Sequence, residues 1–200
     1  SDLALLARGA RVLLLTHVGR PKGKIDPALR TASIAHHLVD LSDHIHTVQT
    51  IDDCVGHDVR NAVDALKSGE ILYLENVRFH PGEQKNEQAF ASELASLAQY
   101  YVNEAFASLH TYEEASTCAV ARLLPAFAGI HLEQEVTHLH ATIQDPRRPL
   151  VVLMSGAKMK TKIPVIRSLL NRADHLLLGG CIANTFLAAR GFEDRKSTRL

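Results

Sequence analysis

"RVLLLTHVGRPKGKID", residues 11–26, changes character halfway along. Val12 to Leu15 form an unbroken apolar run, the composition of a β-strand covered on both faces. His17, Arg20, Lys22 and Lys24 then follow within eight positions, around Gly19 and Gly23. In an open parallel sheet, ligands bind outside the carboxyl ends of the strands. Cations gathered at such an exit therefore point to an anion held locally.

The same kind of apolar run recurs as "IHTVQT" (45–50), "EILYLEN" (70–76), "YYVNEA" (100–105), "LVVLMSG" (150–156) and "HLLLGG" (175–180). Amphipathic stretches lie between them. "ASIAHHLVDLS" puts Ile34, Leu38 and Leu41 on one helical face, "HDVRNAVDALKSG" groups Val59, Val63 and Leu66, and "NEQAFASELASLAQ" groups Phe90, Leu94 and Leu97. Asn86 is the expected N-cap of the last, and Asp52 and Asp53 read as caps before the second. Strand alternating with helix predicts right-handed crossovers and a parallel-sheet α/β fold. From Pro125 to Pro149 the sequence offers no strand, only one long helical pattern, "AGIHLEQEVTHLHATIQDPRRP". The alternation restarts at Leu150, so the chain reads as two α/β units joined by a helix.

The composition limits the function. With 200 residues and 46% hydrophobic content the chain can bury a sizeable core. Its 22 basic and 22 acidic residues cancel, leaving no global field to draw nucleic acid or an anionic membrane. No apolar stretch approaches a membrane span and the N-terminus lacks signal-peptide order, so a cytoplasmic protein is expected. Cys54, Cys118 and Cys181 are odd in number and far apart, which argues against a disulfide framework and a zinc site and predicts three buried thiols. The twelve histidines show no H-E-x-x-H pattern; His36, His37, His131 and His138 read as solvated helix faces, and no metal site is expected. The chain opens at Ser1 inside the helical stretch "DLALLARGA", so an upstream segment is expected. The tail "EDRKSTRL" is set aside from the fold.

Three strand exits carry the candidate chemistry. They are His17 to Arg20 after the first run, "NVRFHPGEQKN" with Arg78 and His80 after the third, and "FASLHTYEE" with His110 after the fourth. One sheet edge is expected to gather them. Arginine's planar fork suits a phosphate or carboxylate. In the second unit, "MSGAKMKTKIPVI" runs from strand through a small-residue turn into a helix, with Lys158 and Lys162 on one face. A helix N-terminus with two ammonium groups is a natural phosphate site. Gly179 and Gly180 end the last run and would let a flat ring or ribose approach the backbone.

"THVGRPKGK", "LYLENVRFHPGEQKN", "YVNEAFAS-LH", "GAKMKTKIPVI" and "LLLGGCIANTFLAARG" resemble, in order and spacing, the signatures of the phosphoglycerate kinase family. The resemblance covers almost all of residues 1–192. It implies three-layer α/β/α lobes: a substrate-binding lobe over 1–128 lacking its first strand, an interdomain helix and linker over 129–148, and the start of a nucleotide-binding lobe over 149–192, left incomplete. Residues 193–200 stay unassigned. It further implies that His17, Val18, Gly19, Arg20, Arg78 and His110 contact 3-phosphoglycerate. Gly156, Ala157, Lys158, Lys162, Gly179 and Gly180 would bind ATP or ADP with Mg²⁺, and Lys158 would follow the transferring phosphoryl group. The reaction implied is reversible phosphoryl transfer between 1,3-bisphosphoglycerate and ADP in glycolysis, by a protein monomeric at full length, with lobe closure bringing the substrates in line.

The sequence departs from that family at several points. The family's Asp and Asn substrate contacts and a catalytic Arg lie upstream of Ser1, and its Mg-nucleotide carboxylate loop is outside this chain. Thr111 stands where the family has Arg, with Glu113 and Glu114 close by, and these acids are expected to repel an anionic substrate. Ser155 and Cys181 stand where the family prefers Gly. The 200 residues alone are therefore expected to be inactive. The competing reading is a non-catalytic anion-binding module derived from that family; a sugar-phosphate binding protein would lack the lysine-rich turn at 158–162.

Overall fold

A computed structural model describes residues 2–40, 45, 47–111, 113–156 and 159–193. Its elements follow the alternation read from the sequence. They are α1 (Asp2–Leu6), β1 (Val12–Leu14), α2 (Ala32–Asp40), β2 (Val48–Thr50), α3 (His57–Ala65), β3 (Ile71–Tyr73), α4 (Pro81–Gln84), α5 (Gln88–Ala95), β4 (Tyr101–Asn103), α6 (Val120–Leu123), β5 (Ala126–Ala128), α7 (Ile130–Gln144), β6 (Val151–Met154), α8 (Met159–Leu169), β7 (His175–Leu178) and α9 (Gly180–Ala189). Every strand pair is parallel, as an α/β fold with crossover helices requires. The chain divides into two compact units, residues 1–135 and 136–200.

In the first unit β3 is the centre of a three-stranded sheet of order β1-β3-β2. Both neighbours are in register with it, Val12 and Val48 each opposite Ile71. Residues 71–79 are buried without a break, which is why this stretch reads as continuously apolar. Its side chains alternate between two cores. Leu72 and Leu74 pack with Val59 and Val63 of α3 and with Phe90, Ala91 and Leu94 of α5, while Ile71 packs on the other face with Leu6 of α1 and Val12. Three layers result, α/β/α. The ladder runs past the regular strands, through Leu74 N–H to Leu14 O at 2.9 Å and Val77 N–H to Thr16 O at 3.1 Å. That extension carries the strand exits to the same edge.

A second, two-stranded sheet pairs β4 with β5, Tyr101 opposite Ala126. The strand β5 corrects the reading that placed none between Pro125 and Pro149. Its three residues are all exposed and carry no alternation, so only backbone pairing identifies them. The edges of β1 and β4 line a single open cleft of about 1560 Å³, with Leu13, Leu15, Val102 and Phe127 among its walls. The long helix is shorter than its pattern: α7 starts after Gly129 and ends at Gln144, before Pro146. The Glu104 carboxylate accepts from Ile130 and His131 N–H, both at 3.1 Å, so an acidic side chain holds the positive end of this helix.

Three cap assignments are corrected. Asn86 does not cap α5; it adopts φ +52°, in the turn before Glu87, which is the N-cap. Gly56 is the N-cap of α3, while Asp52 pairs with Arg30 and Asp53 hydrogen-bonds His80. The thiols also differ from expectation: Cys54 is buried, Cys118 half-buried and Cys181 exposed, because α9 turns Cys181 outward beside the buried Ile182.

In the second unit β6 and β7 pair in register, Val151 opposite His175. Met154, Ile166 and Ile182 form its core, with Val152, Leu176 and Leu178 packed against it. Asp174 closes the base of the pair, accepting from Leu150 N–H at 2.6 Å and from Arg148 at 2.9 Å. Those two donors lower its carboxyl pKa.

The central position of β3 has a measurable cost. Leu72→Ala should lower the unfolding free energy of the first unit by about 3 kcal/mol in urea denaturation followed by circular dichroism, whereas Ile25→Ala, at a 65% exposed position, should change it by less than about 0.5 kcal/mol. Equal losses would show that β3 is not the centre of the core.

Candidate functional site

The exit of β3 is built from polar residues that are nevertheless buried: Glu75 is 3% exposed and Asn76 fully enclosed. Such groups persist only when hydrogen-bonded. Glu75 Oε1 accepts from Thr31 N–H at 2.8 Å, Thr31 Oγ1 at 2.9 Å and Asn76 N–H at 2.8 Å, and Oε2 accepts from Arg30 at 3.0 Å. Asn76 Nδ2 donates to Val18 O at 2.8 Å and to Leu29 O at 2.9 Å, pinning both ends of the loop that contains Gly19 and Arg20. Arg78 N–H donates to Asn76 Oδ1 and Gly23 N–H to Arg78 O, both at 3.1 Å. The cationic loop after β1 is thus held by the exit of β3.

Gly19 is required where it stands. Its φ of +63° suits glycine, and a Cβ there would meet the Leu29 side chain at 2.9 Å. The Gly19 carbonyl accepts from Arg78 Nη1 at 3.1 Å. Arg20, one residue on, is exposed, and His17 is half-buried. Burial lowers the His17 pKa and the Arg78 guanidinium lowers it further, while Glu114 acts the opposite way.

Arg78 is the residue on which the strand exits converge. Its Nη2 donates to Glu114 Oε1 at 2.6 Å, an ion pair whose side chains are only 10% and 7% exposed. Glu114 comes from the segment after β4, so this contact joins the exit of β3 to that of β4. Glu113 is exposed. The two acids therefore do different things, and Glu114 is a buried partner, not a solvated charge. Glu83 lies near the pair, accepting from Ser116 Oγ at 2.5 Å and Ser116 N–H at 2.9 Å. Its pKa is raised, chiefly by burial and only partly offset by the Ser116 bonds. His110 lies in the short helix Phe106–Thr111. Its side chain, like that of Thr111, lies outside the described residues.

The second unit gathers its own set at the carboxyl ends of β6 and β7. Gly156 has φ +137°, and a Cβ on it would contact the Lys162 stem at 3.7 Å. Ser155 packs against the Gly179–Gly180 turn, its Oγ 3.1 Å from where a Gly180 Cβ would be. Gly156, Lys162, Gly179 and Gly180 are therefore neighbours around Ser155, at the start of two helices. Ala157 and Lys158 lie outside the described residues.

Among the described residues one trio could offer three ligand atoms to a metal, Asp53, Cys54 and His80. Those atoms are already engaged: His80 Nε2 and Asp53 Oδ1 are 2.7 Å apart, and Cys54 Sγ donates to Glu75 O at 2.8 Å. Burial, with Asp53 and Glu75 adding to it, raises the Cys54 pKa far out of the thiolate range. The trio reads as a hydrogen-bonded joint. Glu75, Asn76 and Glu83 are the residues that the motif reading missed, and Glu114 was read only as a repelling charge. A signal was present for the first two: acid and amide side chains set between Leu74 and Val77 in an apolar run are buried polar groups.

Comparison with known proteins gives a consistent set of matches. The family model described as phosphoglycerate kinase matches residues 3–199. The chain is 50% identical over 193 residues to phosphoglycerate kinase of Moorella thermoacetica, covering 96% of this chain and 48% of that protein. It is 44% identical over 194 residues to the Brucella suis protein of the same name, again covering 96% and 48%. Among solved structures, phosphoglycerate kinase from Pyrococcus horikoshii matches with TM-score 0.81 at 31% identity over 96% of this chain and 48% of that one. That from Coxiella burnetii matches with TM-score 0.79 at 36% identity, over 94% and 46%. The chain spans about half the length of the curated relatives it matches.

The environment of His17 sets a pH dependence. Its pKa is lowered from 6.5 in the fold, so as pH falls the unfolded chain takes up the proton first. The stability contributed by neutral His17 is present above the unfolded value and lost as pH falls below it toward the lowered folded value. In thermal melts from about pH 8 to about pH 5, wild type should lose stability relative to His17→Asn. Taking the difference removes the opposite contribution of Glu83, and a flat difference would show that His17 is not held neutral.

Proposed function

Since the chain belongs to the phosphoglycerate kinase family, we propose that it supplies the phosphoglycerate-binding lobe and the first part of the nucleotide-binding lobe of a phosphotransferase acting on a carboxyl group. The reaction is reversible phosphoryl transfer between 1,3-bisphosphoglycerate and ADP, giving 3-phosphoglycerate and ATP in glycolysis. The activity belongs to a protein about twice this length, monomeric and cytoplasmic, with small-molecule substrates and no nucleic-acid partner. Among the described residues no helix is long and apolar enough to cross a membrane.

The observation that carries this reading is the pinning of the Gly19–Arg20 loop to Arg78 through Asn76. His17, the Val18 and Gly19 backbone, Arg20 and Arg78 hold 3-phosphoglycerate, with His110 beside them. Such a transfer needs little covalent help from the protein, so orientation and charge neutralisation do most of the work. Lys162, with the backbone at Gly156 and Ala157, holds nucleotide phosphates at the start of α8; Gly179 and Gly180 lie beside the adenosine. Lys158 neutralises the phosphoryl group in transit. The residues around Ser155 suit phosphate and a flat ring. They do not suit Mg²⁺, which takes oxygen ligands, and its carboxylates are assigned to the part of the protein outside this chain. The cleft between β1 and β4 is filled by a further strand of the longer protein, which brings the Asp, Asn and Arg that the family uses on the same substrate.

Coupled ATP-dependent phosphorylation of 3-phosphoglycerate tests the reading. The full-length protein should be active and residues 1–200 alone inactive. In the full-length protein Arg78→Ala should lower kcat/KM by at least about 100-fold, and Lys162→Ala should act chiefly on the KM for ATP. The buried pairing of Glu114 with Arg78 favours one other reading, a non-catalytic anion-binding module. An inactive full-length protein that still binds 3-phosphoglycerate would select it.

A further inference from the structure

Arg78 already has an anion. Its Nη2 is bonded to Glu114 Oε1 at 2.6 Å and its Nη1 to Gly19 O at 3.1 Å, while its Nε is buried with no hydrogen-bond partner. A guanidinium grips an oxyanion with two adjacent N–H groups, either Nε with Nη2 or Nη1 with Nη2. Nη2 contributes one N–H to each pair; Glu114 takes one of them and sets a carboxylate charge beside the other. We infer that Glu114 is an internal competitor for the substrate anion at Arg78, and so a residue that sets the affinity and anion selectivity of this site.

The inference rests on reading residues 17–20 and 78 as the 3-phosphoglycerate site. Charge balance supports it. Besides Glu114, both Glu83 and His17 interact electrostatically with Arg78. The pair in direct contact is one guanidinium and one carboxylate, both buried. With Glu114 in place Arg78 itself has little net positive charge to offer a phosphate. A bound anion must take Nη2 from Glu114 or add a negative charge beside it, and in so enclosed a place either is costly. The buried, unpartnered Nε is a donor that Glu114 leaves unused. The competition is therefore intramolecular, decided by which carboxylate or phosphate completes the fork.

The test is calorimetric titration of the full-length protein and its Glu114→Gln variant with 3-phosphoglycerate, repeated with inorganic phosphate. Glutamine keeps the shape and one acceptor but removes the charge. The variant should bind 3-phosphoglycerate about tenfold or more tightly than wild type. In wild type labelled with ¹⁵N, the Arg78 Nε–H resonance should move on ligand addition. Equal or weaker binding by the variant, with wild-type binding measurable, overturns the competitor and leaves the anion site standing. No binding by either chain overturns the anion site first, and the competitor with it. Where Glu114→Gln lowers the melting temperature, the ligand must raise it by more than it raises the wild type's; equal shifts also overturn the inference.

Discussion

The buried carboxylate of Glu75 is the interaction on which the first unit depends. It sits where β3 leaves the sheet, and its two oxygens gather a backbone N–H, a hydroxyl, a second N–H and a guanidinium from two segments of chain. A carboxylate taken from water into such a place is tolerated only because its lone pairs are met, and removing one partner of a buried ionic network costs on the order of 3–5 kcal/mol. Asn76 extends the arrangement by one residue and clasps Val18 and Leu29. The sheet thereby ends in a rigid frame at the point where most folds turn irregular. The loop 18–30 contains no long regular element, yet it is held at both ends by one amide side chain.

Where hydrophobic pattern was the signal, the sequence was readable. The runs at 11–18, 70–76 and 150–156 all contain strands. In β6 Val151 and Leu153 are exposed, whereas in β3 burial on both faces demands uninterrupted apolar residues. α3 and α5 emerged from 3.6-residue spacing for the same reason. Reading failed where position, not composition, decides. β5 is three exposed residues recognised by backbone pairing alone. Asn86 looked like a cap, but a left-handed backbone at that residue moves the cap to Glu87. Cys181 looked like a core thiol, yet one step of helical rotation exposes it while Ile182 is enclosed.

The site divides in the same way. Glycines and cations at strand exits were legible, since topology brings parallel strand ends together. The role of Glu114 was not. Read along the chain, Glu113 and Glu114 are two equivalent acids in a loop. Folded, one faces water and the other is enclosed against Arg78, 36 positions away. No local pattern distinguishes adjacent acids that a long-range contact sorts. Charge counted along the sequence did not show that one of the two acids is paired with Arg78.

The cleft between β1 and β4 has a consequence for how this polypeptide behaves in bulk. Among the described residues β1 and β4 are edge strands, each with one side of its backbone toward the cleft and Leu13, Leu15 and Val102 beside it. Until the gap is closed, those backbone edges form a template that any extended chain can complete, including a neighbour of identical sequence. Solubility and shelf life are thereby tied to concentration: dilute, the edges face water; crowded, they face each other. An open sheet edge makes colloidal behaviour a property of the sheet.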